Sequence, residues 1–290
     1  MYKDPRSSFQ PKGSKRRYVM ESLDLFKQQF NFRQAGAFQV GVERECFITD
    51  GGGNIVPAAP AVIDYVQRNG WRGRNEPEVR IHPAEALGYE LSACQLETRI
   101  GPCRITELAG ALAWPDRELA DSLRQLGLQA LYLEVAPDDM PLDVYPDPSG
   151  RYARIVETMS RERLLAACQV TGTHVHIGMP DHETALRVYN HVIGRCTELC
   201  EQGDGSSGRR LAIYRKVELN PEPPSYESWE DFFSKALLKK FADNPRDCWT
   251  LIRVSIHGTI EFRMFGSTSS LERIEEWANR CHELCVEAAR

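Results

Sequence analysis

Residues 37–49 alternate in two-residue steps. Phe38, Val40, Val42, Cys46 and Ile48 fall on one side; Gln39, Gly41, Glu43 and Glu45 fall on the other. Side chains of a strand point alternately to opposite faces, so this spacing predicts a strand with one apolar face and two carboxylates side by side on the other. Like charges that close repel unless a cation lies between them. A divalent metal, which favours carboxylate oxygens, is one occupant. A solvated outer face of an antiparallel sheet, where acidic residues are common, is the competing explanation.

Three further stretches repeat the pattern. In 89–100, Cys94, Leu96, Thr98 and Ile100 oppose Gln95, Glu97 and Arg99. In 169–179, Thr173, Val175, Ile177 and Met179 oppose Gly172, His174, His176 and Gly178. In 253–265, Val254, Ile256, Ile260, Phe262 and Met264 oppose Arg253, Ser255, His257, Thr259, Glu261 and Arg263. The polar sides thus gather carboxylates and imidazoles, the oxygen and nitrogen ligands of Mg²⁺ or Mn²⁺. So acidic a wall needs cations, and metals with an anionic substrate would supply them. Arg263 suits a transferring phosphoryl group, because a guanidinium grips phosphate through two hydrogen bonds. Glu90 precedes Glu97 by seven residues, an odd number, so a regular strand would part them. A bulge, or a position at the strand's entry, is needed to unite them. His174 and His176 together could bind zinc in a hydrolase, or one could be a ligand and the other a structural neighbour.

The remaining sequence predicts helices over 18–32 (with Val19, Leu23, Leu25, Phe26 and Phe30), 58–68, 105–126, 152–167, 183–201, 226–241 and 271–289. Pro115 is expected to break the third of these in two. Asp50-Gly51-Gly52-Gly53-Asn54 reads as a tight turn. Residues 71–86 read as irregular, 128–135 as a strand, and 136–150 and 203–208 as loops. Strands and helices do not alternate strictly, and each strand has one apolar and one polar side. The expected class is α+β: a largely antiparallel sheet, helices on its apolar face and the active site on its polar face. Residues 1–17 read as a flexible basic arm and 18–290 as one catalytic domain.

A net charge of −5 argues against a general nucleic-acid or membrane-surface binder. The arm, with Lys3, Arg6, Lys12, Lys15, Arg16 and Arg17, is where a nucleic acid or a partner could be touched. It lacks the apolar segment of a secretory signal, and no run approaches a membrane span. Nine cysteines in a chain of 290 residues favour free thiols in a reducing cytoplasm. Cys196/Cys200 and Cys281/Cys285 each line one face of a helix and read as small core residues in preference to a four-thiolate site.

Gly41-Val42-Glu43-Arg44-Glu45, the run Glu90 to Glu97, Gly172-Thr173-His174-Val175-His176-Ile177-Gly178 and Gly258-Thr259-Ile260-Glu261-Phe262-Arg263 resemble, in order, the motifs of glutamate–cysteine ligase type 2, also called carboxylate–amine ligases. The resemblance implies a glutamine-synthetase-like fold whose curved antiparallel sheet holds ATP and two or three Mg²⁺. It also implies the reaction, in which a carboxylate attacks the γ-phosphate of ATP and an amine displaces phosphate from the acyl phosphate. It would make Glu43, Glu45, Glu90, Glu97, His174 and Glu261 metal ligands, Arg263 and Glu261 catalytic, and Arg210 and Arg253 contacts to phosphate or carboxylate. The stretch between Glu201 and Arg210 is compressed relative to the family, which leaves the amine open among amino acids, peptides and polyamines.

Phosphoryl transfer needs charge neutralisation and alignment more than covalent help from the protein. The leading expectation is therefore an ATP- and Mg²⁺-dependent ligase for a small carboxylate, glutamate among the candidates, and an amine. The alternatives are a metal-dependent hydrolase built on His174 and His176, a kinase on the same fold, and a binding module without turnover. Gln at Glu43 or Glu261 is expected to abolish ATP turnover while leaving the fold intact or even relieving repulsion.

Overall fold

The computed structural model describes residues 22–71 and 86–290. The basic arm, Val19 and nearly all of the irregular stretch lie outside them. Seven strands form one sheet: β1 (Val40–Thr49), β2 (Leu87–Tyr89), β3 (Gln95–Cys103), β4 (Gln129–Leu131), β5 (Gly172–Gly178), β6 (Ile252–Ser255) and β7 (Thr259–Gly266). Their order is β2-β3-β1-β5-β7-β6, with β4 paired to the far end of β1, and every pairing is antiparallel. The helices are α1 (22–28), α2 (Ala59–Asn69), α3 (Leu108–Gln125), α4 (Arg151–Glu157), α5 (Arg161–Gln169), α6 (His182–Val192), α7 (Cys196–Gly203), α8 (Arg209–Val217), α9 (Trp229–Leu238) and α10 (Leu271–Ala289).

The alternation in sequence becomes two faces in space. Val40, Val42, Val175, Ile177, Ile260, Phe262 and Val254 are buried in one large core with Phe26, Tyr189, Phe232 and Trp277 from the helices. A second core joins Cys46, Ile48 and Leu96 to α2 and α3. Cys196, Cys281 and Cys285 are buried in the first core and Cys200 packs against it. All nine thiols are free, most of them buried. No helix among the described residues is long and apolar enough to cross a membrane.

Several expected elements are divided. The run 89–100 is the hairpin β2–β3, turning at residues 90–94, and 253–265 is the hairpin β6–β7, turning at residues 256–258. Residues 152–167 form two helices because the Ser160 hydroxyl accepts from Arg163 N–H and starts α5 afresh. Conversely, Pro115 does not break α3: it lies buried inside an unbroken helix. One backbone hydrogen bond is forfeited there, and the burial of Leu112, Trp114 and Leu119, with Trp114 edge-on to Trp71, holds the helix together. The strand expected at 128–135 pairs only through Leu131, apart from a lone bridge between Val135 and Val170. Helix α8 had no counterpart in the sequence-based expectation.

Along β5–β7 the register slips by one residue: Val175 pairs with Phe262 but Thr173 pairs with Phe265. The extra residue lies in β7, a bulge directly after Arg263. It lets Met264 and Phe265 both enter the core, with Phe265 stacked on Trp277 at 4.9 Å, while Arg263 keeps to the polar face.

The polar face is not open along its whole length. Beyond Glu45, Phe47 shares a third, small core with Leu91, Cys94, Met140 and Cys168, beneath α5 and the preceding loop. Gln95 donates to the carbonyls of Cys168 and Val170 and ties this cover to β3. The uncovered part of the face is therefore a basin closed at one end.

Candidate active site

The register of the sheet sets the site. Glu43 pairs with Arg99 on one side and His174 on the other; Glu45 pairs with Glu97; His176 pairs with Glu261, which pairs with Arg253. Five strands thus present ionisable residues to one basin of about 390 Å³, lined by Glu43, Glu45, Glu90, Glu97, His174, Arg253 and Arg263 among others. A larger cavity of about 830 Å³ adjoins it, and the two share Glu43, Arg99 and His257. Glu90 joins through the β2–β3 turn, not a bulge: the chain reverses after Tyr89, opposite Leu96, and brings Glu90 back beside Glu97.

Ligand atoms within 4.8 Å of one another form three groups: Glu43, Glu97 and His174; Glu43, His176 and Glu261; Glu45, Glu90 and Glu97. Glu43 and Glu97 each belong to two of them, so the groups adjoin. Oε2 of Glu43 lies 3.1 Å from Nδ1 of His174 and 3.5 Å from Nε2 of His176. His176 is held by a 2.8 Å hydrogen bond between Nδ1 and the Thr259 hydroxyl. Its Nε2 is sealed from solvent between Glu43 at 3.5 Å and Glu261 at 4.0 Å, with no well-formed hydrogen bond among the described residues. His174 and His176 enter different groups, which argues against one zinc site built on the pair.

Electrostatics divide the carboxylates. Burial pushes Glu90 well above the usual carboxylate range, and the neighbouring charges of Glu97 and Glu45 push it further. Burial raises Glu97 as well, with Glu43 adding to it and Arg99 opposing. Burial also raises Glu45, although Arg210 and the Gly172 N–H, donating at 2.6 Å, pull the other way. Burial would likewise raise Glu43 and Glu261, but the histidines hold Glu43 low and Arg253 and Arg263 hold Glu261 low. For His174 burial, reinforced by Arg263, lowers the pKa; for His176 it is outweighed by Glu261 and Glu43, which raise it.

Each arginine has its own task. Arg253 donates from Nε and Nη2 to both oxygens of Glu261, at 2.7 and 3.0 Å, and from Nη1 to the carbonyls of Arg246 and Cys248. Arg263 Nη1 donates to Glu261 at 2.5 Å, while its Nε is buried with no partner among the described residues. Arg210 lies behind the basin. Its guanidinium donates to the carbonyls of Thr171, Met264 and Arg263 and is spent on bracing β5 and β7. Arg99 answers Glu97 at 2.5 Å.

Arg44, between the two acidic residues of β1, points to the opposite face. It pairs with Asp116 at 2.6 Å, donates to the Thr268 carbonyl and stacks 3.6 Å over Tyr132. A charged residue in apolar register was the signal in the sequence that could have found it. His257, on the β6–β7 turn where the cavities meet, and Arg151, Tyr152 and Arg246, which line the basin from outside the sheet, carried no such signal.

The glutamate–cysteine ligase family 2 (GCS2) model matches residues 39–194, from β1 through α6. This chain belongs to that family. Two relatives named "Putative glutamate--cysteine ligase 2" come from Roseiflexus castenholzii (strain DSM 13941 / HLO8) and Gloeobacter violaceus (strain ATCC 29082 / PCC 7421). The first is 26% identical over 250 residues, 81% of this chain and 62% of the relative. The second is 25% identical over 265 residues, 84% of this chain and 66% of the relative. The GCS2 chain described here thus spans slightly under two thirds of their length. A bifunctional glutathione synthetase from Pasteurella multocida has the same fold in its crystal structure, with a TM-score of 0.54 and 14% identity over 92% of this chain and 40% of that one.

Proposed function

We propose that this member of the GCS2 family is an ATP- and Mg²⁺-dependent ligase that joins a carboxylate to an amine through an acyl phosphate. One observation carries the reading: three adjoining ligand groups share Glu43 and Glu97 on a single wall. Five carboxylates, Glu43, Glu45, Glu90, Glu97 and Glu261, crowd this wall, and burial pushes three of them, Glu45, Glu90 and Glu97, toward the neutral form, so added cations would favour their ionised state. The unpartnered Nε2 of His176 between two carboxylates fits a cation, as does the mix of hard oxygen and imidazole donors. Glu43, Glu97 and His174, Glu43, His176 and Glu261, and Glu45, Glu90 and Glu97 would hold Mg²⁺ or Mn²⁺. Bound there, the ions would neutralise phosphate oxygens and align them with the attacking carboxylate.

The chain's own groups do the rest. Arg263, which lines the basin, would face the transferring phosphoryl group, and a cation held in place by Glu261 is worth most where charge develops away from water. Arg253 fixes Glu261, and Arg210 fixes the strand carbonyls on either side, so both act by positioning. Arg151 and Arg246 at the rim favour substrates that carry negative charge, and Tyr152 and Trp249 offer apolar surface to exclude water. The free thiols fit a cytoplasmic enzyme.

The test is a screen of amino acids, small peptides and polyamines for amine-stimulated, Mg²⁺-dependent ADP release, with the amide identified by mass. Amide formation in step with ADP is expected. ADP with a phosphorylated product and no amide would make the protein a kinase, and nucleotide-independent hydrolysis supported by zinc would make it a hydrolase.

A further inference from the structure

Glu134 has no place in the reaction, yet its setting is built with care. Gly172 and Gly266 face each other across the β5–β7 ladder, just past the bulge. A Cβ on Gly172 would overlap the Arg210 guanidinium, and one on Gly266 would overlap the Glu134 carboxylate. The paired glycines therefore make room for two side chains on the sheet beyond Glu45. Oε1 of Glu134 accepts the Gly205 N–H at 2.6 Å. Oε2 is sealed from solvent and has no hydrogen-bond partner among the described residues. Arg210 lies near enough to act on Glu134 through its charge, but Oε2 keeps room for a donor of its own.

In front of Glu134 lies a cavity of about 390 Å³ that shares no lining residue with the metal basin. Arg209, Arg273, Ser206, Ser269 and Trp277 line it. Arg273 lies in the first turn of α10, gives one Nη2 bond to the Gln202 carbonyl and leans over Trp277 at 5.3 Å. Arg209 opens α8 and reaches no nearer than 3.8 Å to the exposed Asp138. Both guanidiniums keep donors to spare, and both stand where helix dipoles favour negative charge. The cavity thus has a hydrogen-bond acceptor at its base and two cations at its rim.

We propose that this cavity binds a small zwitterion, an α-amino acid, with its ammonium on Glu134 and its carboxylate between Arg209 and Arg273. The volume suits such a ligand. The pocket also touches the reaction wall from behind. The Ser267 hydroxyl donates to the Glu45 carbonyl at 2.6 Å, and Arg44 donates to the carbonyl of Thr268; both of these lining residues follow β7 directly. This proposal stands apart from the catalytic reading, because its residues lie outside the basin.

Isothermal titration of the purified chain with individual L-α-amino acids, each paired with its N-acetyl and its amide derivative, tests it. At least one amino acid is expected to bind, and both derivatives are expected to fail, since each lacks one of the two charges. Glu134→Gln and Arg273→Gln should each weaken binding tenfold or more, and Arg104→Gln, an exposed arginine that lines neither cavity, should not. Arg273 is at the surface, so its variant keeps the test decisive if Glu134→Gln does not fold. Absence of binding by every amino acid overturns the proposal. So does binding that Arg104→Gln weakens and Arg273→Gln spares, or equal binding of the amide, or inorganic phosphate that binds in an Arg273-dependent, Glu134-independent way.

Discussion

Arg253 on β6 grips Glu261 on β7 through both carboxylate oxygens, and Arg263, two residues further along β7, closes on the same carboxylate. Glu261 is completely buried, so it is the shared anion of two cations as well as a potential metal ligand. Gln at this position would leave both guanidiniums short of charge. Removing one partner of a buried pair costs about 3–5 kcal/mol. The sequence led us to expect that Gln here would abolish turnover while leaving the fold intact or relieving repulsion; the two arginines on Glu261 predict a loss of stability in its place. Urea melts should show Glu261→Gln losing stability on that scale. An unchanged midpoint would mean the arginines do not depend on it.

Glu43→Gln should behave differently. Glu43 is partly exposed, and an amide oxygen can still meet His174. The fold should survive by circular dichroism, while Mg²⁺-dependent ADP release falls by more than about 100-fold, the scale of losing a key charge-stabilising group. Normal turnover in this variant would refute the metal assignment.

Arg44 is predicted to link stability to turnover. Arg44→Met leaves the partly exposed Asp116 with only the Tyr132 hydroxyl and should cost about 1–3 kcal/mol. Adding Asp116→Leu should restore part of that loss, as a double-mutant cycle would read. Turnover should fall in both, because Arg44 fixes the backbone between Glu43 and Glu45. Additive losses would show that the pair is not coupled.

The raised carboxyls predict a pH dependence. Glu90, buried and beside Glu97, has a folded pKa above its unfolded value, so the fold favours its neutral form. Its contribution is complete below the unfolded pKa and is lost as pH rises through the folded one. Metal-free Glu90→Gln should therefore gain melting temperature over the parent as pH rises from acid to neutral, and Mg²⁺ should narrow the gap. Glu43 and Glu261 act with the opposite sign, losing stability as pH falls through their depressed values, but they are common to both proteins and drop out of the difference. A gap independent of pH would deny the strain assigned to Glu90.

Two glycines give a contrast. A Cβ on Gly178 would overlap the Gly36 carbonyl oxygen, and backbone cannot step aside as a side chain can. Gly178→Ala should cost about 1–3 kcal/mol by overpacking. Gly110, inside α3, meets nothing within 4 Å, and Gly110→Ala should gain up to about 1 kcal/mol from helix propensity. Equal effects in thermal melts would contradict these contacts.

Much of the site could be read from period-two spacing, since a residue's face follows from parity wherever a strand is regular. Glu43, Glu45, Glu97, His174 and Glu261 meet for that reason. Parity fails wherever the chain turns or bulges. It parted Glu90 from Glu97 because a hairpin and a continuous strand share the same local pattern. It was silent on Phe265, displaced by the β7 bulge. Arg210 follows a Gly/Ser loop as a family arginine would, but which carbonyls it braces depends on two strands distant in sequence. Helix α8 was missed because the stripe it buries, Arg210, Tyr214 and Val217, begins on an arginine and so carries little apolar signal.

The β7 bulge has an effect of its own on how this chain can change. Between Phe262 and Phe265 the strand shifts phase by one residue. Loss of Met264 would restore strict alternation and leave Phe265 opposite Thr173 in the core, whereas loss of Arg263 would turn Met264 toward the carboxylates and remove the cation that belongs among them. The two deletions differ by one position yet have opposite consequences: one keeps the guanidinium on the polar face, the other puts a thioether in its place. Where the spare residue falls therefore decides what the strand can lose.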